Sequence, residues 1–333
     1  MQNRVHLGWA FGVFSPASPF VLMSSLPTTA FVLGAGLGTR LKALTARLPK
    51  PLIPVCLTPL ITRAFAHLHE VGVKEFVVNT HWKAEVYPEI FPTGTWNGCP
   101  LTFSHEFPEV LETAGGLKFA EGRLRAGGAF WVYNGDILSD LPLEQAWAAH
   151  VASGNEVTLV LRSKDGPLQV GFDSTSGRIT DLGKRLRPDL SPEFLFTGIY
   201  IVEPRFLDRI PAETKLSVVP VFVDMIREGA RLGGVVVDDG NWWDLGAREQ
   251  YLAVHKELAG QGAPWIDPSA SVSPQATLVG ACAIGAGAVV NAGAVLEDSI
   301  VWGDGVVEAG ANLRRCIVTS GVRVSGTHVD LDF

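Results

Sequence analysis

The stretch VLGAGLGTRLKALTARLPKPLIPV, residues 32–55, sets Gly34, Gly36 and Gly38 at alternate positions behind an apolar run. Arg40 follows, and then Lys50, held between Pro49 and Pro51. A dinucleotide fingerprint, G-x-G-x-x-G, needs a glycine at position 39, where Thr39 stands, and no lysine sits where a Walker A loop requires one. Neither spacing fits. What remains is a glycine-rich loop leaving a strand, able to bring bare backbone N–H groups close to an anion. The other reading is a tight turn followed by two surface cations, and the glycines alone leave both open.

Around this stretch, TAFVLG, KEFVVNT and FWVYNGD read as short buried strands, while LITRAFAHLHEV and the segment after Leu141 read as helices. That alternation predicts an α/β domain: a doubly wound, mixed but mainly parallel sheet with its ligand site at the carboxyl ends of the strands. Further on, LQVGFDSTSGRITDL predicts a hairpin, FLFTGIYIVEP a strand and VVPVFVDMIREG a helix. Beyond a linker at 260–265 the pattern changes. Ile266, Val272, Leu278, Ile284, Val290 and Leu296 recur every sixth position among small residues, the mark of a β-helix. About 70 residues allow roughly four coils of ~18 residues. The expected organisation is a first domain over 29–259 and a β-helix over 266–333.

With 333 residues, 47% of them apolar, the chain can bury a sizeable core. Its net charge of −7 argues against a nucleic-acid partner and makes any anion site a local concentration of Arg and Lys. The cysteines, Cys56, Cys99, Cys282 and Cys316, are far apart in sequence and form no C-x-x-C pair. They predict neither a zinc cage nor a disulfide framework, and they fit a reducing cytoplasm. The first 22 residues are apolar with one early Arg, but Pro16 and Pro19 interrupt a run too short to span a bilayer. Residues 1–28 are expected to be a leader or an extension from an upstream start, with Met23 as a second start, and no membrane partner is expected.

The order G-x-G-x-G-T-R, then L-P-K-P, resembles the signature of the sugar-1-phosphate nucleotidylyltransferases. The resemblance continues through ETAGGLK at 112–118, NGD at 134–136, FTGIYIV at 196–202 and WWDLG at 242–246. It covers about residues 29–259, and the tail resembles the left-handed β-helix that many members carry. A sugar-1-phosphate oxygen would attack the α-phosphorus of a nucleoside triphosphate in line, expelling pyrophosphate. Both reactants are anions, so positive charge has to be supplied.

The resemblance implies that Arg40 neutralises the leaving pyrophosphate, for which a guanidinium fork is suited, and that Lys50 holds the α-phosphate and the incoming sugar phosphate. It implies Mg²⁺ on Asp136 and Asp244, a hard cation on hard oxygen ligands. Leu33, Gly34, Gly36, Gly38, Thr39, Gly115 and Gly116 would surround the nucleotide. Asn134, Gly135, Thr197, Gly198 and Lys184 would surround the sugar phosphate. Taken singly, each aspartate also reads as a strand-end cap. Thr113 also reads as a cap for the helix that follows it, and His81 as a packed or surface residue.

The sugar side departs from the family pattern. Where many members carry E-K-P, this chain has LGKRLRP, with Lys184 in the comparable place. LETAGG and TKLSVVPVFVDMI resemble the uridylyltransferases of N-acetylmuramate-1-phosphate, whereas LRRCIVTSGVRV resembles the tail of the mannose-1-phosphate guanylyltransferases. The longer tail resemblance makes GTP and mannose-1-phosphate the expected substrates. UTP or dTTP with N-acetylmuramate-, glucose- or heptose-1-phosphate are the alternatives. A non-catalytic subunit that binds sugar nucleotides would be expected to lack one of Arg40, Lys50, Asp136 and Asp244, and all four are present. An acyltransferase use of the tail is disfavoured because its lone histidine, His328, stands five residues from the end. Packing on the first domain, or contacts within a homo-oligomer, is the expected use.

Overall fold

The computed structural model describes residues 26–36, 38–189, 191–260 and 264–333. The expected leader lies outside them as far as residue 25, as do linker residues 261–263. Strand Thr29–Leu33 occupies the middle of a ten-stranded sheet, flanked in parallel by Glu75–Thr80 and Phe130–Asn134, and Cys99–His105 extends the parallel set. Leu195–Val202 then runs antiparallel between Phe130–Asn134 and Val157–Arg162, so the sheet is mixed as expected. The hairpin Val170–Asp173 with Arg178–Leu182 closes one edge.

Helices cover both faces because the strands are apolar on both sides. Helix Ile61–Glu70 turns Ile61, Ala64, Phe65 and Leu68 to one face at helical spacing. Helix Leu143–Ser153 ends at Gly154, whose left-handed φ of 56° allows the chain to leave the helix. Helix Val218–Arg227 buries Val221, Phe222 and Met225 on the opposite face.

From Trp265 the chain winds as a parallel β-helix with three faces of four strands each. This is the left-handed coil expected of hexapeptide repeats. Ile266, Ile284, Val301 and Val318 stack in one column, and Val272, Val290, Val307 and Val324 in another. The third column runs Leu278, Leu296, Leu313 and His328. The 18-residue coil holds through Leu296, later partners stand 17 residues apart because the chain passes from Leu296 to Val301 in five residues, and the last step, Leu313 to His328, is 15.

The first face of the coil packs on the first domain. Ala283, Ile300, Trp302 and Ile317 share one apolar cluster with Leu41, Leu44, Ile53, Val55, Tyr251 and Val254. Trp302 Nε1 donates to Tyr251 Oη at 3.0 Å, and that hydroxyl donates to the Pro54 carbonyl. Arg47 reaches the Ser320 carbonyl at 3.0 Å. The short 3₁₀ helix Thr39–Thr45, which continues the glycine-rich loop, therefore rests on the tail through Leu41 and Leu44.

Candidate active site

At the carboxyl ends of the central strands lies a cavity of about 520 Å³, the size of a small-ligand site. Leu33, Ala35, Gly36, Gly38, Arg40, Lys50, Asn134 and Asp136 line one side, and Val110, Glu112 and Thr113 form a facing wall. Each glycine of the loop has its own reason. A β-carbon on Gly34 would stand 2.7 Å from both the Asn79 carbonyl and the Tyr87 hydroxyl, whereas one on Gly36 would meet nothing within 4 Å. Gly38 has a left-handed φ of 60°, so it turns the chain into the helix that carries Arg40. Thr39 opens that helix. Only at Gly36 does a bare backbone face open space, and that is where a ligand can approach.

Pairing register explains how two aspartates 108 positions apart in sequence meet. Strand Trp242–Asp244 runs antiparallel to Ile137–Ser139, with Asp244 opposite Ile137, the residue after Asp136. Lys50 Nζ lies 2.7 Å from Asp136 Oδ2 and 3.5 Å from Asp244 Oδ1. Its side chain is only 6% exposed, against 36% and 34% for the carboxylates. A buried ammonium needs such partners, and the prolines on either side hold its backbone in place. Arg40 is the opposite case. Its side chain is 70% exposed and touches Asp244 Oδ2 only at 3.8 Å, leaving the fork free for a ligand. Gly246 lies against that guanidinium, which a β-carbon there would approach to 2.8 Å.

Gly135 lets the aspartate-bearing turn approach the glycine loop. Its N–H donates to the Leu33 carbonyl at 3.0 Å, and a side chain there would collide with that oxygen. Gly198, with φ of 81°, leaves room for the Asn134 amide, and Thr197 offers its carbonyl to Trp242 Nε1 at 2.9 Å. Both support the site from behind, and neither lines the cavity. Gly115 and Gly116 do not line it either. They are buried where a β-carbon would strike the Thr214 carbonyl or Glu106, so their bareness lets helix Glu112–Phe119 pack. Lys184 is exposed on the turn after Leu182 and is absent from the cavity lining. Thr113 Oγ1 accepts from Val218 N at 2.7 Å, so it caps helix Val218–Arg227 and not its own.

A buried chain of hydrogen bonds that the motifs did not reveal joins the two walls. Gly34 N donates to Asn79 Oδ1 at 2.8 Å, and Asn79 Nδ2 donates to Glu106 Oε1 at 2.7 Å. Glu106 Oε2 accepts from Leu111 N at 2.6 Å. Glu106 is fully buried, and burial pushes its carboxyl above the usual range. Tyr87 Oη, kept protonated by burial, donates to the Gly34 carbonyl at 2.9 Å. His81 Nδ1 donates to the Glu106 carbonyl at 2.9 Å, a structural role in keeping with the packed residue expected.

Among the described residues no cluster of three or more His, Cys, Asp or Glu could hold a metal alone. Asp136 and Asp244 offer two hard oxygen donors beside a cavity open enough for a ligand to complete the set, which fits a hard divalent cation shared with phosphates and water. No helix among the described residues is long and apolar enough to cross a membrane.

The nucleotidyl transferase family profile fits residues 29–261. A mannose-1-phosphate guanylyltransferase of Mycobacterium tuberculosis is 30% identical over 310 residues, covering 88% of this chain and 85% of that one. A probable mannose-1-phosphate guanylyltransferase 2 of Arabidopsis thaliana is 30% identical over 89% of this chain and 82% of its own. The catalytic subunit beta of the Xenopus tropicalis enzyme is 29% identical over 67% of this chain and 62% of its own.

Proposed function

The chain belongs to the nucleotidyl transferase family, and we propose that it makes GDP-mannose and pyrophosphate from GTP and mannose-1-phosphate. The observation that carries this is the convergence of Arg40, Lys50, Asp136 and Asp244 beside a glycine-rich loop. The choice of base and sugar is supported by relatives whose similarity extends past residue 261 into the coiled tail.

An oxygen of mannose-1-phosphate attacks the α-phosphorus of GTP in line. The bond from that phosphorus to the bridging oxygen breaks, and its electron pair leaves with pyrophosphate. No general base is needed, because a phosphate monoester with a second pKa of about 6 is already mostly dianionic at pH 7. The residues position the reactants and offset their charge. Arg40 is free to fork across the departing β- and γ-phosphate oxygens. Lys50, now paired with the carboxylates, reaches the α-phosphate when a ligand arrives. Asp136 and Asp244 would hold Mg²⁺, in keeping with the family's use of a divalent metal; when bound it supplies positive charge to the triphosphate. Asn134 and the Gly135 turn orient the sugar phosphate. With Lys184 outside the cavity lining, the cationic contact to that phosphate falls to Lys50.

All four cysteines are free and buried, which suits a reducing cytoplasm. The two faces of the coil turned away from the Trp302 cluster are available for a homo-oligomer.

The test is pyrophosphate release over GTP, UTP, dTTP, ATP and CTP against mannose-, glucose-, heptose- and N-acetylmuramate-1-phosphate, with Mg²⁺. The expected maximum is GTP with mannose-1-phosphate. Folded protein with no turnover in any combination would remove the enzyme reading.

A further inference from the structure

Glu112 is a charged residue in an uncomfortable place. It has a left-handed φ of 60°, a conformation that a residue with a side chain adopts only at a cost, and it lines the substrate cavity. Its carboxylate is exposed and makes no hydrogen bond or ion pair among the described residues, although Arg40 and Lys50 line the same cavity. An unpaired anion would repel a triphosphate, so the part of the nucleotide beside it has to be neutral and rich in donors. Val110, Leu33 and Ala35 supply apolar walls in the same cavity, suited to a flat base.

We propose that Glu112 reads the guanine base by accepting from its N1–H and N2–H₂ together. A carboxylate has two acceptor oxygens and no donor. Of the common bases, only guanine presents two adjacent donors on its pairing edge. Adenine and cytosine set an acceptor beside their amino group, and uracil and thymine flank one N–H with two carbonyls. Each would place an acceptor against a carboxylate oxygen, so Glu112 both selects guanine and repels the rest.

This inference rests on GTP being the substrate, and the experiment separates the two claims. kcat/KM is measured for GTP, inosine triphosphate (which lacks the N2 amino group), 2′-deoxy-GTP and ATP with the wild type and with Glu112→Ala, Glu112→Gln and Glu112→Gly. The wild type is expected to prefer GTP over inosine triphosphate by on the order of tenfold to a hundredfold, a ratio that falls towards one in all three variants. Glu112→Gln, with one acceptor and one donor, is expected to gain on ATP relative to GTP. Glu112→Gly relieves the backbone, so it should melt no lower than the wild type while still losing discrimination, which separates recognition from a structural role. A wild type that ignores GTP would sink the proposed function. A wild type that prefers GTP, with variants that keep the inosine ratio, would overturn Glu112 alone. So would a loss in the variants that tracks the 2′-hydroxyl, since the carboxylate would then be holding the ribose.

Discussion

Lys50 Nζ stands 2.7 Å from Asp136 Oδ2, so the ammonium neutralises one of the two carboxylates to which the proposed function gives the metal. Under that proposal ammonium and metal compete for the same oxygens, and a bound phosphate would give the lysine another partner. Lys50→Met is therefore expected to bind Mn²⁺ about tenfold more tightly than the wild type without nucleotide, as read by the loss of free Mn²⁺ signal. The same variant is expected to lose catalysis by a factor of about 10³, having no cation for the α-phosphate. Equal Mn²⁺ affinity in the two proteins would show that the lysine does not obstruct the metal.

Asp136→Asn and Asp244→Asn are each expected to lower kcat/KM by about two orders of magnitude or more, since a neutral amide holds a divalent cation weakly. Each carboxylate is about one-third exposed but partners the buried Lys50 ammonium, and because asparagine keeps one oxygen acceptor and the other aspartate remains, the expected loss of stability is modest. A melting shift of about 2–4 °C, corresponding to roughly 1 kcal/mol, is expected. Activity near that of the wild type in either variant would remove that aspartate from the site.

Glu106 holds both walls of the cavity, through Asn79 on one side and Leu111 on the other. Glutamine has one acceptor oxygen for these two donors. Glu106→Gln is therefore expected to cost about 1–3 kcal/mol in urea unfolding, the penalty of one orphaned buried donor. It is also expected to raise KM for the nucleotide more than it lowers kcat.

The central strands, three of the helices, the hairpin and the coil could be read from period and composition, because apolar spacing reports on which face is buried, whereas strands Cys99–His105, Val157–Arg162 and Leu232–Val236 and helix Arg248–Ala259 were not singled out. The charged quartet could be read from its motifs. The Gly34–Asn79–Glu106–Leu111 chain could not, since its members stand 45, 27 and 5 residues apart with no spacing of their own. Signals did exist: an asparagine near the end of a buried strand and a glutamate directly after the strand CPLTFSH. The family resemblance places Gly115, Gly116 and Gly198 at the substrate, where a bare backbone would suit a ligand. The same bareness serves close packing of protein on protein, and sequence cannot tell the two apart.

His255 is buried, with Nε2 accepting from Cys56 N at 3.1 Å and Nδ1 donating to the Tyr251 carbonyl at 2.8 Å. Burial lowers its pKa from 6.5 to about 4, and Arg63 pushes the same way. The folded value lies below the unfolded one, so between these limits the unfolded chain binds the proton more readily. Stability is therefore full above pH 6.5 and falls towards pH 4, by up to about 3 kcal/mol from this residue. Urea unfolding across that range should show a flatter slope for His255→Gln than for the wild type.

Trp302 fills the junction between the coil and the first domain, and Leu41 and Leu44, which follow the glycine-rich loop, belong to the same cluster. Trp302→Ala is expected to cost about 3–5 kcal/mol. It should also lower kcat/KM for the nucleotide, because the support under Arg40 loosens. A stability loss with unchanged kinetics would make the tail a fastening with no bearing on the site.

The most direct measurement runs the reaction backwards. Purified protein is mixed with GDP-mannose, pyrophosphate and Mg²⁺, and GTP formation is followed for the wild type and for Lys50→Met. The wild type should form GTP and mannose-1-phosphate in equal amounts, stop when the metal is chelated, and outpace the variant by about a thousandfold. Folded wild-type protein that forms no GTP, or a variant as fast as the wild type, would contradict the account.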